Sequence, residues 1–129
     1  MKYPCKEQII FLHQELIRTS GGLSGIRDDG LLESAVLSPL QSFDGEDLYP
    51  SLIDKASHLA FGLIKNHPFV DGNKRVGTHA MILLLYLNGI ELTYEDEDLI
   101  QIILRLASGK AKESDLHTWI RIHITTNAR

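Results

Sequence analysis

Apolar residues recur at intervals of three and four along most of this 129-residue chain, which is the spacing of one face of an α-helix. The clearest example is the stripe formed by Leu52, Ala56, Leu59 and Leu63. From Ala80 to Leu87 the sequence is apolar on nearly every side, which predicts a central helix that is packed all round. Alternating strand patterns are almost absent. The chain is therefore predicted to fold as an all-α bundle of about six helices.

Local start and stop signals divide the first part of the chain into two helices and a loop. The first helix is predicted from Pro4 to Arg18, because proline is favoured at a helix start. Asp28 is a candidate N-cap for a second, short helix that ends before Pro39. The stretch from Gln41 to Pro50 lacks helical periodicity and is rich in turn-forming residues, so it is predicted to be a surface loop.

The two strongest helices follow one another. Ser51 begins a capping-box sequence, which predicts that a third helix starts directly after it. Pro68 disfavours helical geometry at the residue before it, so this helix should stop at His67. A fourth helix should begin near Asn73 and end at Asn88-Gly89. A short loop is therefore expected between the third and the fourth helix.

The last part of the chain continues the helical pattern after a brief extended piece at residues 90–93. The sequence Thr93-Tyr94-Glu95-Asp96 is predicted to cap a fifth helix, which Gly109 closes. A sixth helix should place Leu116 and Trp119 or Ile120 in the core, and residues 125–129 are predicted to be frayed. The length fits one domain, residues 1–129, with a core from about 4 to 124.

Composition argues against several classes of protein. Seventeen acidic side chains against 13 Lys and Arg give a net charge of −4, which argues against direct nucleic-acid binding through a basic face. The single cysteine, Cys5, cannot form an internal disulfide. The longest apolar run, Met81 to Leu87, is far shorter than the roughly 20 residues of a membrane-spanning helix. We therefore expect a reducing, cytoplasmic setting and no membrane association.

The loop before the fourth helix has an unusual composition. It reads His67-Pro68-Phe69-Val70-Asp71-Gly72-Asn73-Lys74-Arg75 and so gathers an imidazole, a carboxylate, a carboxamide and two cations. A glycine stands just before a helix whose first N–H groups lack partners, which is the backbone arrangement of an anion site. We expect the amides from Gly72 to Arg75 to face a phosphate group.

The side chains of the loop suggest separate chemical roles. Arg75 can grip phosphate oxygens with two donors, and Lys74 can act as a point charge. Asp71 offers the hard oxygen ligand that Mg²⁺ prefers when it bridges a carboxylate and a nucleotide. His67 is the side chain whose ordinary pKa, about 6.5, suits removal of a proton from a hydroxyl at neutral pH. Phe69 should anchor the loop in the core and completes the predicted nucleotide-binding set of Phe69, Gly72, Asn73, Lys74 and Arg75.

These nine residues resemble the signature of the Fic superfamily, H-P-F-x-[DE]-G-N-G-R-x-x-R, and more closely the form of its death-on-curing (Doc) branch, which ends in N-K-R. Further likeness lies in the segment from Gly25 to Ala35 and in Tyr86-Leu87-Asn88-Gly89, so the resemblance covers roughly residues 4–124. It implies a compact helical Fic fold, an ATP and Mg²⁺ site, and transfer of part of the nucleotide to a protein hydroxyl. By position, His67 would be the base and Asp71 the metal ligand.

Two positions depart from the pattern of the Fic enzymes that transfer AMP. Lys74 stands where those enzymes have glycine, and Thr78 stands where they have a second arginine. The Doc branch shares the lysine and is similar to a protein kinase that transfers the γ-phosphate of ATP to elongation factor Tu and arrests translation. The resemblance therefore implies a Doc-like toxin of a toxin-antitoxin system, with elongation factor Tu as the expected target.

The resemblance also implies how such a toxin is restrained. The self-inhibitory string [ST]-x-x-x-E-[GN] of some Fic proteins does not occur in this sequence. Restraint is therefore expected from a cognate antitoxin peptide that folds onto the toxin, a mode that needs an apolar groove. The first helix and the loop from Phe43 to Tyr49 are the candidate surfaces.

Three other interpretations remain open on the sequence. The chain could be an adenylyltransferase despite Lys74. It could be a catalytically silent Fic-like module that acts with an antitoxin, although the full set of His67, Asp71, Asn73 and Arg75 argues against this. A nuclease would need a second carboxylate near Asp71 to hold metal against a nucleic-acid phosphate, and the loop offers only one.

Overall fold

The computed structural model describes residues 1–127 and consists mainly of six α-helices. These are α1 (Lys6–Ser20), α2 (Asp29–Leu37), α3 (Leu52–Asn66), α4 (Asn73–Leu87), α5 (Asp96–Ser108) and α6 (Glu113–Ile122), with a 3₁₀ turn at Ser38–Leu40. Four short strands form two antiparallel pairs: β1 (Ser42–Phe43) with β2 (Glu46–Asp47), and β3 (Ile90–Leu92) with β4 (Ile124–Asn127). The predicted all-α bundle of about six helices is confirmed.

Helices α3 and α4 form the centre of the bundle and pack closely against each other. At the start of α3 the Ser51 hydroxyl accepts from the Asp54 N–H at 3.0 Å, and the Asp54 carboxylate accepts from the Ser51 N–H at 3.1 Å. This confirms the predicted capping box. A Cβ atom added at Gly77 would lie only 2.8 Å from a side-chain carbon of Ile64. The missing side chain of Gly77 is therefore what lets the two helices approach.

The other helices cover this central pair. All six helices and the loop before α4 contribute fully buried side chains, and the larger ones are Ile9, Leu32, Leu59, Leu63, Ile64, Phe69, Met81, Leu84, Leu85, Leu106, Leu116 and Ile120. Helix α1 packs against α4, and α6 packs against α3. The site-bearing loop between α3 and α4 thus joins the two most central elements.

The helix starts follow the local signals with some shifts. Asp28 caps α2 by accepting from the Leu31 N–H at 2.9 Å, as predicted. Helix α1 begins at Lys6 and runs to Ser20, slightly later at both ends than predicted. The predicted cap of α5 starting at Thr93 is wrong, because the N-cap residue of α5 is Glu95. The Thr93 N–H instead donates to the His123 carbonyl at 2.9 Å.

Two further expectations are corrected. Helix α4 is not packed all round, because the side chain of Tyr86 is 63% exposed and only part of the helix surface meets neighbours. The frayed tail is wrong for residues 125–127, because they belong to β4 and pair with β3. Residues 128–129 lie outside the described part of the chain. The predicted surface loop at residues 41–50 is exposed and contains the short β1–β2 pair.

Within residues 1–127, none of the helices has both the length and the apolar character that crossing a bilayer requires.

Candidate active site

The catalytic loop, defined as residues 67–75, begins where α3 ends. Helix α3 stops at Asn66, as the proline at position 68 predicts. His67 has the left-handed backbone conformation, with φ 49° and ψ 54°, which few residues other than glycine and asparagine adopt readily. Its imidazole is exposed. The His67 side chain is therefore accessible from outside the protein.

The loop is fastened to the segment between α1 and α2. Ile26 and Phe69 form an antiparallel bridge. On one side of it the Val70 N–H donates to the Gly25 carbonyl at 3.0 Å, and on the other the Asp28 N–H donates to the Pro68 carbonyl at 3.0 Å. These bonds join residues about forty positions apart. The loop is therefore held by a segment of the chain that lies well before it in the sequence.

Phe69 anchors the loop in the core. Its side chain is 1% exposed and stacks on the ring of His13, with ring centres 3.8 Å apart and planes within 8°. The predicted nucleotide contact of Phe69 stays a prediction, which the burial of its ring does not favour. The anchoring role that the sequence indicates for Phe69 agrees with this burial.

His13 of α1 is a part of the site that the sequence did not reveal. It is 2% exposed, and its Nε2 donates to the Asp71 carbonyl oxygen at 2.7 Å. Together with the stack on Phe69, this bond fixes the middle of the loop from the side of α1. The only sequence signal was a polar residue within an apolar stripe, and that signal does not name a partner.

The Asn73 side chain supports the loop from within. Its amide nitrogen donates to the Phe69 carbonyl at 3.0 Å, and its carbonyl oxygen accepts from the Phe69 N–H at 3.0 Å. The residue is 8% exposed. Its side-chain amide group is therefore already engaged with the loop backbone.

The start of α4 has the geometry of an anion site. Gly72 takes the left-handed conformation, with φ 77°, and the first hydrogen bond of the helix runs from the Val76 N–H to the Gly72 carbonyl at 2.9 Å. The N–H groups of residues 73–75 consequently have no partner within the helix. They point along the helix axis with the positive end of its dipole, which favours a bound anion.

Asp71 lies beside this helix start as a carboxylate. One of its oxygens accepts from the Gly72 N–H at 2.8 Å, and the other accepts from the Leu23 N–H at 3.0 Å. These two backbone bonds, that from Leu23 first, hold the pKa of Asp71 below its ordinary value, with a further contribution from the charge of Arg75. The group is therefore ionised near neutral pH, which is the state that a metal ligand requires.

Arg75 turns towards the same glycine-rich segment. Its guanidinium donates to the Gly21 carbonyl at 2.8 Å. Next to it, Gly22 has φ +117°, and a Cβ atom added there would lie 2.8 Å from both the Arg75 guanidinium and the Asp71 carboxylate. Absence of a side chain at Gly22 is thus what leaves space for the two charged groups of the site.

Lys74 and Thr78 lie, like part of Arg75, on the side of α4 that faces α5. The Lys74 side chain is exposed, and the Thr78 hydroxyl donates to the Lys74 carbonyl at 2.7 Å within the same helix. Both residues line a cavity of about 280 Å³ between α4 and α5, whose far wall is apolar and formed by Leu99, Ile100, Ile103 and Leu104. The loop thus opens beside a space with one charged and one apolar side.

Sequence comparison places these features in a family. The model of the Fic/DOC family matches residues 3–85, which is more than half of the chain and includes the whole catalytic loop. The chain belongs to the Fic/DOC family. It is similar to Toxin Doc of Mycolicibacterium smegmatis, with 40% identity over 87 residues that cover 64% of this chain and 67% of that protein. Protein kinase doc of Escherichia phage P1 is 26% identical over 121 residues, which cover 94% of each chain.

The chemical roles predicted for the residues of the loop stay predictions, and the structure shows where each residue lies. Asp71, Lys74 and Arg75 lie at the start of α4, and His67 lies at the other end of the loop, where α3 ends. The side chains of Asn73 and Phe69 hold the loop in place. Supporting residues from α1 and from the α1–α2 segment complete a Fic/DOC site that the nine-residue signature alone does not describe.

Proposed function

We propose that this chain is a Doc-like toxin that transfers the γ-phosphate of ATP to a hydroxyl of a protein target. The observation that carries the proposal is the start of α4, where three N–H groups without helical partners lie next to ionised Asp71, in the same nine-residue loop as exposed His67. A phosphate chain satisfies such a group of donors. The relative from phage P1 is named a protein kinase, which supports phosphoryl transfer as the reaction.

The residues fit Mg²⁺ and ATP as the proposed ligands. Each oxygen of the Asp71 carboxylate accepts one hydrogen bond from the backbone and keeps capacity for a further interaction. Mg²⁺ commonly takes one or two carboxylates together with phosphate oxygens, and when bound it would neutralise negative charge on the phosphates. Arg75 would share this task, because one guanidinium nitrogen donates to Gly21 and other donors remain.

The chemical step requires a base and an in-line acceptor. His67 would take the proton of the target hydroxyl while its oxygen forms a bond to the γ-phosphorus of ATP. The bond between the γ-phosphorus and the oxygen that bridges it to the β-phosphate then breaks, which releases ADP. The N–H groups of residues 73–75 and the Arg75 guanidinium would stabilise the charge of the phosphate chain throughout.

Lys74 and Thr78 support γ-phosphate transfer over AMP transfer. Enzymes of the Fic type that transfer AMP have glycine and arginine at these two positions, and here a lysine side chain occupies the side of the helix start that faces the α4–α5 cavity. The triphosphate should therefore enter in a different orientation, with its end phosphate nearest His67. Elongation factor Tu is the expected target, and arrest of translation is the expected consequence.

A cognate antitoxin peptide is the expected partner, as the name Toxin Doc of the mycobacterial relative suggests. Both surfaces that the sequence singles out carry exposed apolar side chains, with Phe11 of α1 62% exposed and Phe43 of the β1–β2 pair 77% exposed. An apolar peptide segment that folds on binding would cover surfaces of this kind.

Incubation with labelled ATP tests the proposed reaction. The purified protein is mixed with a host cell extract or with elongation factor Tu, Mg²⁺, and ATP that carries label at either the α or the γ position. Label from the γ position alone should appear on the target, and ADP should accumulate. Label from the α position with release of pyrophosphate would make the protein an adenylyltransferase instead.

The variant His67→Ala tests the proposed base. Loss of a positioned general base should slow transfer by about 10²- to 10⁴-fold and abolish growth arrest. Because His67 is exposed, its melting curve should match that of the unsubstituted protein. A variant that still arrests growth fully would remove His67 from the reaction.

A further inference from the structure

Arg27 lies between α1 and α2, and its donors converge on the end of α3. Its Nε donates to the His67 carbonyl at 2.6 Å, and its Nη2 donates to the Asn66 carbonyl at 2.8 Å. Its backbone N–H donates to the Pro68 carbonyl at 2.7 Å. One residue therefore holds three successive carbonyl groups, those on both sides of the His67 α-carbon included.

These carbonyl groups need a partner from outside the helix. The last carbonyls of an α-helix have no intrahelical donor, and a glycine in the left-handed conformation often follows so that backbone N–H groups can reach back. Here that position is His67, with φ 49°. The Arg27 guanidinium supplies two of the missing donors and places its charge at the negative end of the α3 dipole.

The hydrogen bonds of Arg27 fix the backbone position from which the His67 side chain projects. Since the imidazole is exposed, no close packing around the ring fixes its direction. The direction of the bond from Cα to Cβ is set by the backbone on either side, and Arg27 fixes that backbone. A change at position 27 would therefore move the imidazole without touching the start of α4.

We propose that Arg27 is a positioning residue for the reaction: by holding the carbonyls of residues 66–68 it keeps the His67 imidazole aligned with the target hydroxyl. The proposal rests on the proposed function, because it needs His67 as the base. It assigns Arg27 no contact with ATP, so its effect belongs to the chemical step and not to nucleotide binding.

Three variants test this role by steady-state kinetics of γ-phosphate transfer. Arg27→Met removes the guanidinium and keeps most of the apolar stem, whereas Arg27→Lys keeps the charge but cannot reach two carbonyls with a planar fork. Arg121→Met is the matched control, because Arg121 is an exposed arginine on α6 outside the loop and its supports. All assays are run well below the melting temperature of each variant.

We expect Arg27→Met to lower kcat by about 10- to 100-fold while KM for ATP stays within about twofold, because a displacement of roughly 1 Å at a reacting group costs up to 10²-fold. Arg27→Lys should recover part of the loss, and Arg121→Met should have no effect. A raised KM for ATP with unchanged kcat would overturn the proposal, because it would place Arg27 in nucleotide binding. An unchanged kcat in Arg27→Met would overturn it as well.

A double-mutant cycle with His67→Ala separates this proposal from the proposed function. If Arg27 acts through His67, the double variant should transfer no more slowly than His67→Ala alone. Losses that multiply would show that Arg27 acts elsewhere. If His67→Ala transfers as well as the unsubstituted protein, the assignment of the base fails. If His67→Ala loses transfer but Arg27→Met keeps full activity, His67 remains the base and the Arg27 proposal fails.

Amide hydrogen exchange gives a measurement that does not depend on transfer. The peptide that contains residues 66–70 should exchange about tenfold faster in Arg27→Met than in the unsubstituted protein, because the loop opens locally more often. Arg27→Lys should lie between the two, and Arg121→Met should match the unsubstituted protein. Exchange in Arg27→Met at the same rate as in the unsubstituted protein would show that Arg27 does not hold this backbone, whatever the activity of the variant.

Discussion

Substitution of Gly22 by alanine should separate the stability of the fold from the working geometry of the site. An added Cβ at Gly22 would lie 2.8 Å from both the Arg75 guanidinium and the Asp71 carboxylate and 3.0 Å from Cδ1 of Ile17, and ordinary contact begins at 3.4 Å. Each charged group must therefore retreat by at least 3.4 − 2.8 = 0.6 Å. Since both are ends of flexible side chains, they can move at little cost to stability.

Gly25 provides a matched control for the backbone strain. Its φ of +114° is close to the +117° of Gly22, but a Cβ there would meet only a methyl group of Val70 at 3.5 Å. Alanine at a φ near +115°, outside the left-handed helical region, costs about 1–3 kcal/mol, so both variants should melt roughly 3–15 °C below the unsubstituted protein. Only Gly22→Ala should displace the charged groups of the site.

The activity of the two variants should therefore differ far more than their stability. We expect transfer by Gly22→Ala to fall by about 10²-fold and its half-saturating Mg²⁺ concentration to rise, because misplacement on this scale affects positioned groups strongly. Transfer by Gly25→Ala should stay within a few-fold. Thermal denaturation and a Mg²⁺ titration of transfer measure both effects. Equal activity of the two variants would refute the idea that Gly22 leaves space for Asp71 and Arg75.

Four further variants, one of them a control, test the loop. Phe69→Ala should lower the free energy of unfolding by about 3–5 kcal/mol in urea denaturation, because it removes a fully buried ring, and a loss below about 1 kcal/mol would contradict the anchor role. Asn73→Asp should cost about 1–3 kcal/mol, since the Phe69 carbonyl loses its donor, whereas exposed Lys74→Met should stay within about 0.5 kcal/mol. The pKa of Asp71 in the folded protein lies below the value of about 3.9 in the unfolded chain. Ionised Asp71 therefore stabilises the fold above that pH, and this stabilisation is lost as the pH falls through the lower folded value. Asp71→Asn should reduce the loss of stability between neutral and acid pH.

The main elements of the fold were predictable because their signals are local. The capping box at Ser51, the proline after His67 and the Asn88-Gly89 pair fix the bounds of α3 and α4 within a few residues. Pairing of β4 with β3 was not predictable, because it joins segments more than thirty residues apart. The exposure of Tyr86 was not predictable either, since a run that is apolar all round does not indicate which face of the helix lacks a neighbour.

The candidate site divides in the same way. Its chemical groups follow from nine consecutive residues, so sequence reasoning could name them and assign roles. Its supports come from far along the chain: His13 is 58 positions from Asp71, Leu23 is 48 positions from it, and Arg27 is 40 positions from His67. Periodicity and caps carry no information about contacts at such separations. The anchoring of Phe69 and the inward bonds of Asn73 needed the tertiary structure.

Because the catalytic loop is bonded to α1 and to the α1–α2 segment, it should not keep its structure when it is grafted alone into another protein. A graft of residues 67–75 between two helices of another protein would carry every reacting group but none of the bonds from Gly25, Asp28 and His13. A polypeptide cut before α3 would keep the complete signature and lack the same bonds. Possession of the nine-letter string is therefore a poor criterion for an active protein, and a better one asks whether the upstream supports accompany it.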